Sequence, residues 1–189
     1  MGLLTILVIL ICTATTFFAV GVVSGVKLGS DYNSSVCLKT GLVFTATALL
    51  AMALSFILGR MLAPVLTGVS DWVGFAMLLL IAIHFLLESM EKAPSLNYTD
   101  IVHNNYMLKV AIHVSLDLFL LAFVVALVRP RAFLFTILFG ALFAFCSILF
   151  GLSHGHHSKG NSVLANRLEL VAGFIMVFIA IRYLIVSLG

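Results

Sequence analysis

Charge is what this sequence has least of. Only 9% of its 189 residues are Asp, Glu, Lys or Arg, where a soluble domain carries roughly a quarter. A chain so poor in charge cannot cover its surface with polar groups, so that surface must face lipid. The formal net charge is +3, and no basic run is present. A phosphate-backbone partner is therefore excluded, and no nucleic acid is expected. Cysteine is scarce too. Cys12, Cys37 and Cys146 lie far apart with no CxxC spacing, and they read as small apolar packing residues. No HExxH, nucleophile elbow, P-loop or GxGxxG occurs. A soluble-type enzyme is not expected, nor is a resident cofactor. The opening MGLLTILVILICTATTFFAVG lacks the Lys or Arg of a signal-peptide n-region and has no clear cleavage site. It reads as a retained first helix.

What the sequence has in abundance is apolar length, at 63% hydrophobic residues. About 20 apolar residues cross a bilayer as a helix. Six stretches qualify, at approximately Leu3–Ser24, Val36–Arg60, Asp71–Ser89, Met107–Val128, Ala132–Leu152 and Leu168–Leu188. The expected fold is an all-α, multi-pass membrane protein of six transmembrane helices. Polar Gly/Ser-rich segments, a turn at Pro64 and Gly68, the Arg129-Pro130-Arg131 turn and the loop SHGHHSKGNS separate the spans. No room is left for a soluble domain. The first, third and fifth loops and their flanks hold Lys27, Lys39, Lys92, Lys109, Lys159 and Arg167, against Arg60, Arg129 and Arg131 on the other side. That bias places the odd loops in the cytoplasm of a cell (inner) membrane and both termini outside. The sequons at Asn33 and Asn97 would then escape glycosylation.

The two halves resemble each other. Leu42-Val43-Phe44-Thr45 matches Phe133-Leu134-Phe135-Thr136, and Ser55 to Gly59 resembles Ser147 to Gly151. Gly74-Phe75 matches Gly173-Phe174, and Ile81 to Leu86 matches Ile179 to Leu184. The serial order of these matches points to duplication, with one repeat over about 1–92 and the other over about 104–189. Three helices per repeat is an odd number, so the second copy is expected upside down. Inverted repeats of this kind build transporters with a site near the bilayer midplane. The first and fourth helices would be partners across the axis.

Asp117 is the outstanding polar residue, near the middle of the fourth helix. A carboxylate at that depth is expensive unless paired, solvated or protonated, so it is a functional candidate by default. His113 lies one turn earlier on the same face, and Ser115 adds an oxygen. The equivalent stretch of the first helix is Thr13-Ala14-Thr15-Thr16, whose hydroxyls are inexpensive in a helix. Thr15 and Thr16 are the candidate oxygen lining opposite Asp117. His84, Glu88, Glu169 and Arg182 read as structural polar residues in ion pairs. His154, His156 and His157 form an imidazole-rich loop that would suit transition-metal ions. Gly21, Gly25 and Gly29 have small-xxx-small spacing, which permits close helix contact.

Over all six helices the chain resembles the MntP-type manganese exporters of the LysE transporter superfamily. The marks are Ser115-Leu116-Asp117, Gly41-Leu42-Val43-Phe44, the stretch from Asp71-Trp72-Val73 to Glu88, and Glu169-Leu170-Val171-Ala172-Gly173. The resemblance implies an inverted pair of three-helix units exporting a divalent cation. Asp117 matches the family's fourth-helix Asp, and Glu88 keeps a third-helix Glu. Thr16, Ala48 and His84 stand where the family has an Asp, an acidic residue and an Arg. Mn2+ prefers several oxygen ligands including carboxylates, so the departures weaken its expected site unless His113 and His84 compensate. The leading expectation is a secondary transporter, with Asp117, Thr15, Thr16, Ser115 and His113 handling the cation. The alternatives are a transport-inactive membrane subunit or scaffold of a larger complex, and an exporter of a small organic solute held by Phe17, Phe18 and Phe119. The bilayer, a divalent cation and a homo-oligomeric or other membrane-protein partner are the expected associations.

Overall fold

The computed structural model describes residues 2–28, 32–66, 68–90, 104–157 and 163–188, and all of their side chains except those of 88, 104–106, 163–166, 187 and 188. The described residues form six α-helices and no strand. They are α1 (Leu3–Leu28), α2 (Ser34–Leu62), α3 (Ser70–Met90), α4 (Asn104–Val128), α5 (Phe133–His157) and α6 (Val163–Leu188). A single 3-10 turn, Pro130–Ala132, joins α4 to α5. Pro130 suits the start of that turn because its missing N–H has no partner to lose there. All six helices are long and apolar enough to cross a bilayer. The protein is a multi-pass membrane protein.

Each helix is longer than its apolar stretch, and α5 shows why. It runs on through Ser153-His154-Gly155-His156-His157, a segment whose polarity and glycine read as loop. Tertiary packing holds it helical. A Cβ on Gly155 would sit 2.1 Å from the Val22 carbonyl oxygen, and one on Gly151 would sit 2.4 Å from the Phe18 oxygen. From the other side, a Cβ on Gly25 would sit 2.2 Å from the Leu152 oxygen. Backbone meets backbone along this line, and only glycine permits it. Gly29 lies outside the described residues.

The helices are not equally buried. In α1 and α4, 67% of the most apolar stretch is buried within the protein, against 22–39% in the other four. α1 and α4 are thus the central helices. They touch each other only slightly. α1 packs mainly on α5, α4 mainly on α2, and α3 on α6. Secondary contacts join α2 to α5, α1 to α6 and α3 to α4. Exchanging α1 with α4, α2 with α5 and α3 with α6 leaves this set unchanged. Gly74 packs on Tyr183 while Gly173 packs on Leu86, so α3 and α6 meet through a glycine from each side. Leucine and phenylalanine side chains at Leu80, Leu134, Phe150 and Phe178 remain exposed on the outer helices, as a lipid-facing surface requires.

Candidate functional site

Asp117 and Thr16 fall at the midpoints of the two central helices. Helix hydroxyls in this protein mostly bond to their own backbone. Thr13 Oγ1 donates to the Leu10 carbonyl at 3.0 Å and Thr15 Oγ1 to that of Cys12 at 2.7 Å. Ser115 Oγ donates to the Ala111 carbonyl at 2.6 Å and stands 3.4 Å from Thr47 Oγ1. Thr16 differs. It is 1% exposed, and its Oγ1 has no hydrogen-bond partner among the described residues. Leaving a buried hydroxyl unbonded costs roughly 1–3 kcal/mol, which a polar visitor would recover.

Asp117 is the other such position. Its side chain is 3% exposed. Oδ1 lies 3.2 Å from Nδ1 of His84, and Oδ2 has no hydrogen-bond partner among the described residues. His84 comes from α3, and its side chain is 37% exposed. One imidazole therefore connects the buried carboxylate to the outside of the helix bundle. The His113 ring lies 5.9 Å from that of His84, edge to face. Asp117 and His84 thus come together where α3 meets α4, with the His113 ring near that of His84. His84 reads from the sequence as a structural residue. Its proximity to Asp117 comes from the crossing of two helices whose local sequences say nothing of each other.

The remaining candidates are dispersed. Thr15 is spent on its own helix and turns toward α5. Glu169 is buried early in α6 at 3% exposure, and Arg182 is exposed. The Glu88 side chain lies outside the described residues, as does the second sequon at Asn97. His154, His156 and His157 occupy the last turn of α5, not a loop. His154 faces Phe18 at 6.1 Å, His156 stacks on Tyr32 at 4.0 Å, and His157 Nδ1 lies 2.8 Å from the Ser153 oxygen. Among the described residues no three His, Cys, Asp or Glu side chains converge into a group able to hold a metal ion.

Two cavities of about 300 Å³ each flank the central helices. One is lined by Ile11, Ala14, Thr15 and Phe18 of α1 with residues of α5; the other by Ile112, Ser115, Leu116 and Phe119 of α4 with residues of α2. The α1 and α4 linings differ by one constant shift of 101 (112 − 11, 115 − 14, 116 − 15, 119 − 18), which also pairs Thr16 with Asp117. Phe18 and Phe119 line separate cavities, and Phe17 is buried edge-on against Phe44 at 6.4 Å. The three phenylalanines do not share one organic-solute pocket.

A family model described as "Putative manganese efflux pump" matches residues 31–184. The chain belongs to the Mntp family. The match spans α2 to α6 almost entirely, and so includes Asp117, His84, His113 and Glu169. It begins after α1, so Thr15 and Thr16 lie outside it. No curated protein and no solved structure gives a match. Within the Mntp-matched region, Asp117 is the buried acid of α4, and it sits beside an imidazole.

Proposed function

We propose that this protein is a secondary transporter that exports a divalent cation through a mid-helix site centred on Asp117. The observation that carries the reading is the Asp117 carboxylate itself, on a side chain 3% exposed on a central helix, with one oxygen lacking a hydrogen-bond partner among the described residues. Such a group persists in a membrane interior when function needs it. Family membership supplies the direction, efflux, and the class of cargo. His84 contacts the carboxylate, Thr16 presents a second unbonded oxygen on the other central helix, and His113 stands by as a further donor. Ser115 and Thr15 have their hydroxyls engaged by backbone and would line the approach. The absence of a three-ligand cage among the described residues suits cargo. A transport site must bind weakly enough to release, whereas a resident metal site need not.

The same reading takes the two halves as inverted repeats. Support comes from the helix contacts, which survive exchange of the halves, and from the two cavities related by the same shift of 101 that pairs Thr16 with Asp117. Rocking of one half on the other would expose the midpoint of α1 and α4 to each side in turn. The termini and the odd loops are assigned to the outside and the cytoplasm by their Lys and Arg distribution.

Metal content of cells tests the assignment. Cells expressing the protein and grown in excess Mn2+, Zn2+ or Co2+ should hold less of at least one metal than cells expressing Asp117→Asn at the same membrane level. Equal content of all three metals in the two strains would overturn it and favour a transport-inactive subunit.

A further inference from the structure

We infer that His84 sets the ion preference of the Asp117 site, drawing it toward cations that accept nitrogen with oxygen, the class of Zn2+, Co2+ and Ni2+, and away from hard Mn2+. This rests on the transport reading above and narrows its cargo.

Nδ1 of His84 and Oδ1 of Asp117 are 3.2 Å apart. Two donors held at 2.0–2.2 Å from one tetrahedral ion stand about 3.3–3.6 Å apart, so the pair needs to open by only a few tenths of an ångström to grip an ion between them. Asp117 Oδ2 offers another oxygen. The His113 ring lies 5.9 Å from that of His84, but the three side chains do not converge into a three-ligand group. The donor set is therefore one carboxylate and imidazole. Imidazole suits Zn and Ni, whereas Mn favours carboxylate, carbonyl and water oxygens. A neutral imidazole also adds no negative charge, so the site offsets a dication's dehydration less than a pair of carboxylates would. The His84 side chain is 37% exposed and that of Asp117 3%, so the imidazole lies on the outer side of the carboxylate.

Affinity at almost any such site rises from Mn2+ through Co2+, so a wild-type preference for Zn2+ decides nothing by itself. The deciding quantity is how the preference changes when the imidazole is removed. The full chain is reconstituted in lipid vesicles, and initial rates for Zn2+ and Mn2+ are measured for wild type, His84→Asp and His84→Asn. His84→Asp makes the pair all-carboxylate. His84→Asn keeps a neutral polar group of similar reach and guards against a variant that fails to fold. The Zn2+ to Mn2+ rate ratio is expected to fall by about tenfold or more in His84→Asp, and in the same direction in His84→Asn. An unchanged ratio in the folded variants overturns the inference. If wild-type vesicles move no cation, the transport reading fails separately. Equilibrium binding of Zn2+ and Mn2+ to the detergent-solubilised protein then decides. Zn2+ binding weakened about tenfold in His84→Asp supports the role of His84, and binding indifferent to His84 or absent overturns it.

Discussion

Replacing Gly25 by alanine should destabilise the protein far more than one methyl group suggests. The new Cβ would lie 2.2 Å from the Leu152 carbonyl oxygen, 2.9 Å from its carbon and 3.0 Å from the His156 nitrogen. All three are backbone atoms of α5, so no side chain can rotate away. Ordinary contact begins near 3.4 Å, so α1 and α5 must part locally by about 1 Å. A gap of 0.5–1 Å forfeits a quarter to a half of each dispersion contact, worth roughly 0.1–0.2 kcal/mol. Over some 40–60 atom pairs, about the number one buried leucine makes, the loss is on the order of 3 kcal/mol. That agrees with the roughly 1–3 kcal/mol that overpacking costs in well-packed interiors. Gly155→Ala meets the Val22 oxygen at 2.1 Å and should cost as much. Gly68→Ala is the control, because its Cβ would meet nothing within 4 Å. Unfolding in mixed detergent measures all three. If Gly25→Ala and Gly155→Ala unfold with Gly68→Ala and wild type, the close α1–α5 contact is wrong.

Other outcomes follow from single contacts. Ser55 donates to the Phe119 carbonyl across α2 and α4. Ser55→Ala should cost about 0.6 kcal/mol, the usual worth of an interhelical hydrogen bond in a membrane, by the same unfolding assay. The Tyr183 hydroxyl donates to Asp71 Oδ1 at 2.8 Å, tying the end of α6 to the start of α3. Tyr183→Phe should lose roughly 1 kcal/mol. Burial, then a hydrogen bond to Cys37, raises the Tyr32 phenol above its ordinary range, with Ser153 opposing. A raised pKa means that the fold favours the neutral phenol. Its contribution is complete below the ordinary tyrosine value of about 10 and is lost as pH rises through the raised one. An absorbance titration of wild type minus Tyr32→Phe should show that late ionisation, and a difference curve centred at the ordinary value would contradict it.

The fold was largely legible because hydropathy records lipid exposure directly. Six apolar stretches became six helices, and their ends shifted only where polar residues were held helical by tertiary contact, as at Gly155 against Val22. Asp117 was legible for the same reason, since a lone acid in an apolar run stands out. Its partner was not. His84 lies on α3 and Asp117 on α4, and nothing local distinguishes an imidazole that meets a carboxylate from one that faces an interface. Thr16 was visible as one hydroxyl among three. Only the packing separates it from Thr13 and Thr15, whose hydroxyls turn back to their own helix. The histidines at the end of α5 read as a loop because of their polarity and Gly155, but they lie on the last turn of the helix, with His154 near Phe18 and His156 stacked on Tyr32.

The central claim is that the Asp117 carboxylate carries the transported cation. Asp117→Asn keeps the size and polarity of the side chain and removes only its charge. Wild type and Asp117→Asn, matched for folded protein, are reconstituted in vesicles, and the initial rates of Mn2+, Zn2+ and Co2+ movement are compared with protein-free vesicles. The account expects wild type to move at least one of these ions well above the protein-free rate and Asp117→Asn to fall to that rate. Movement by Asp117→Asn as fast as by wild type would contradict it.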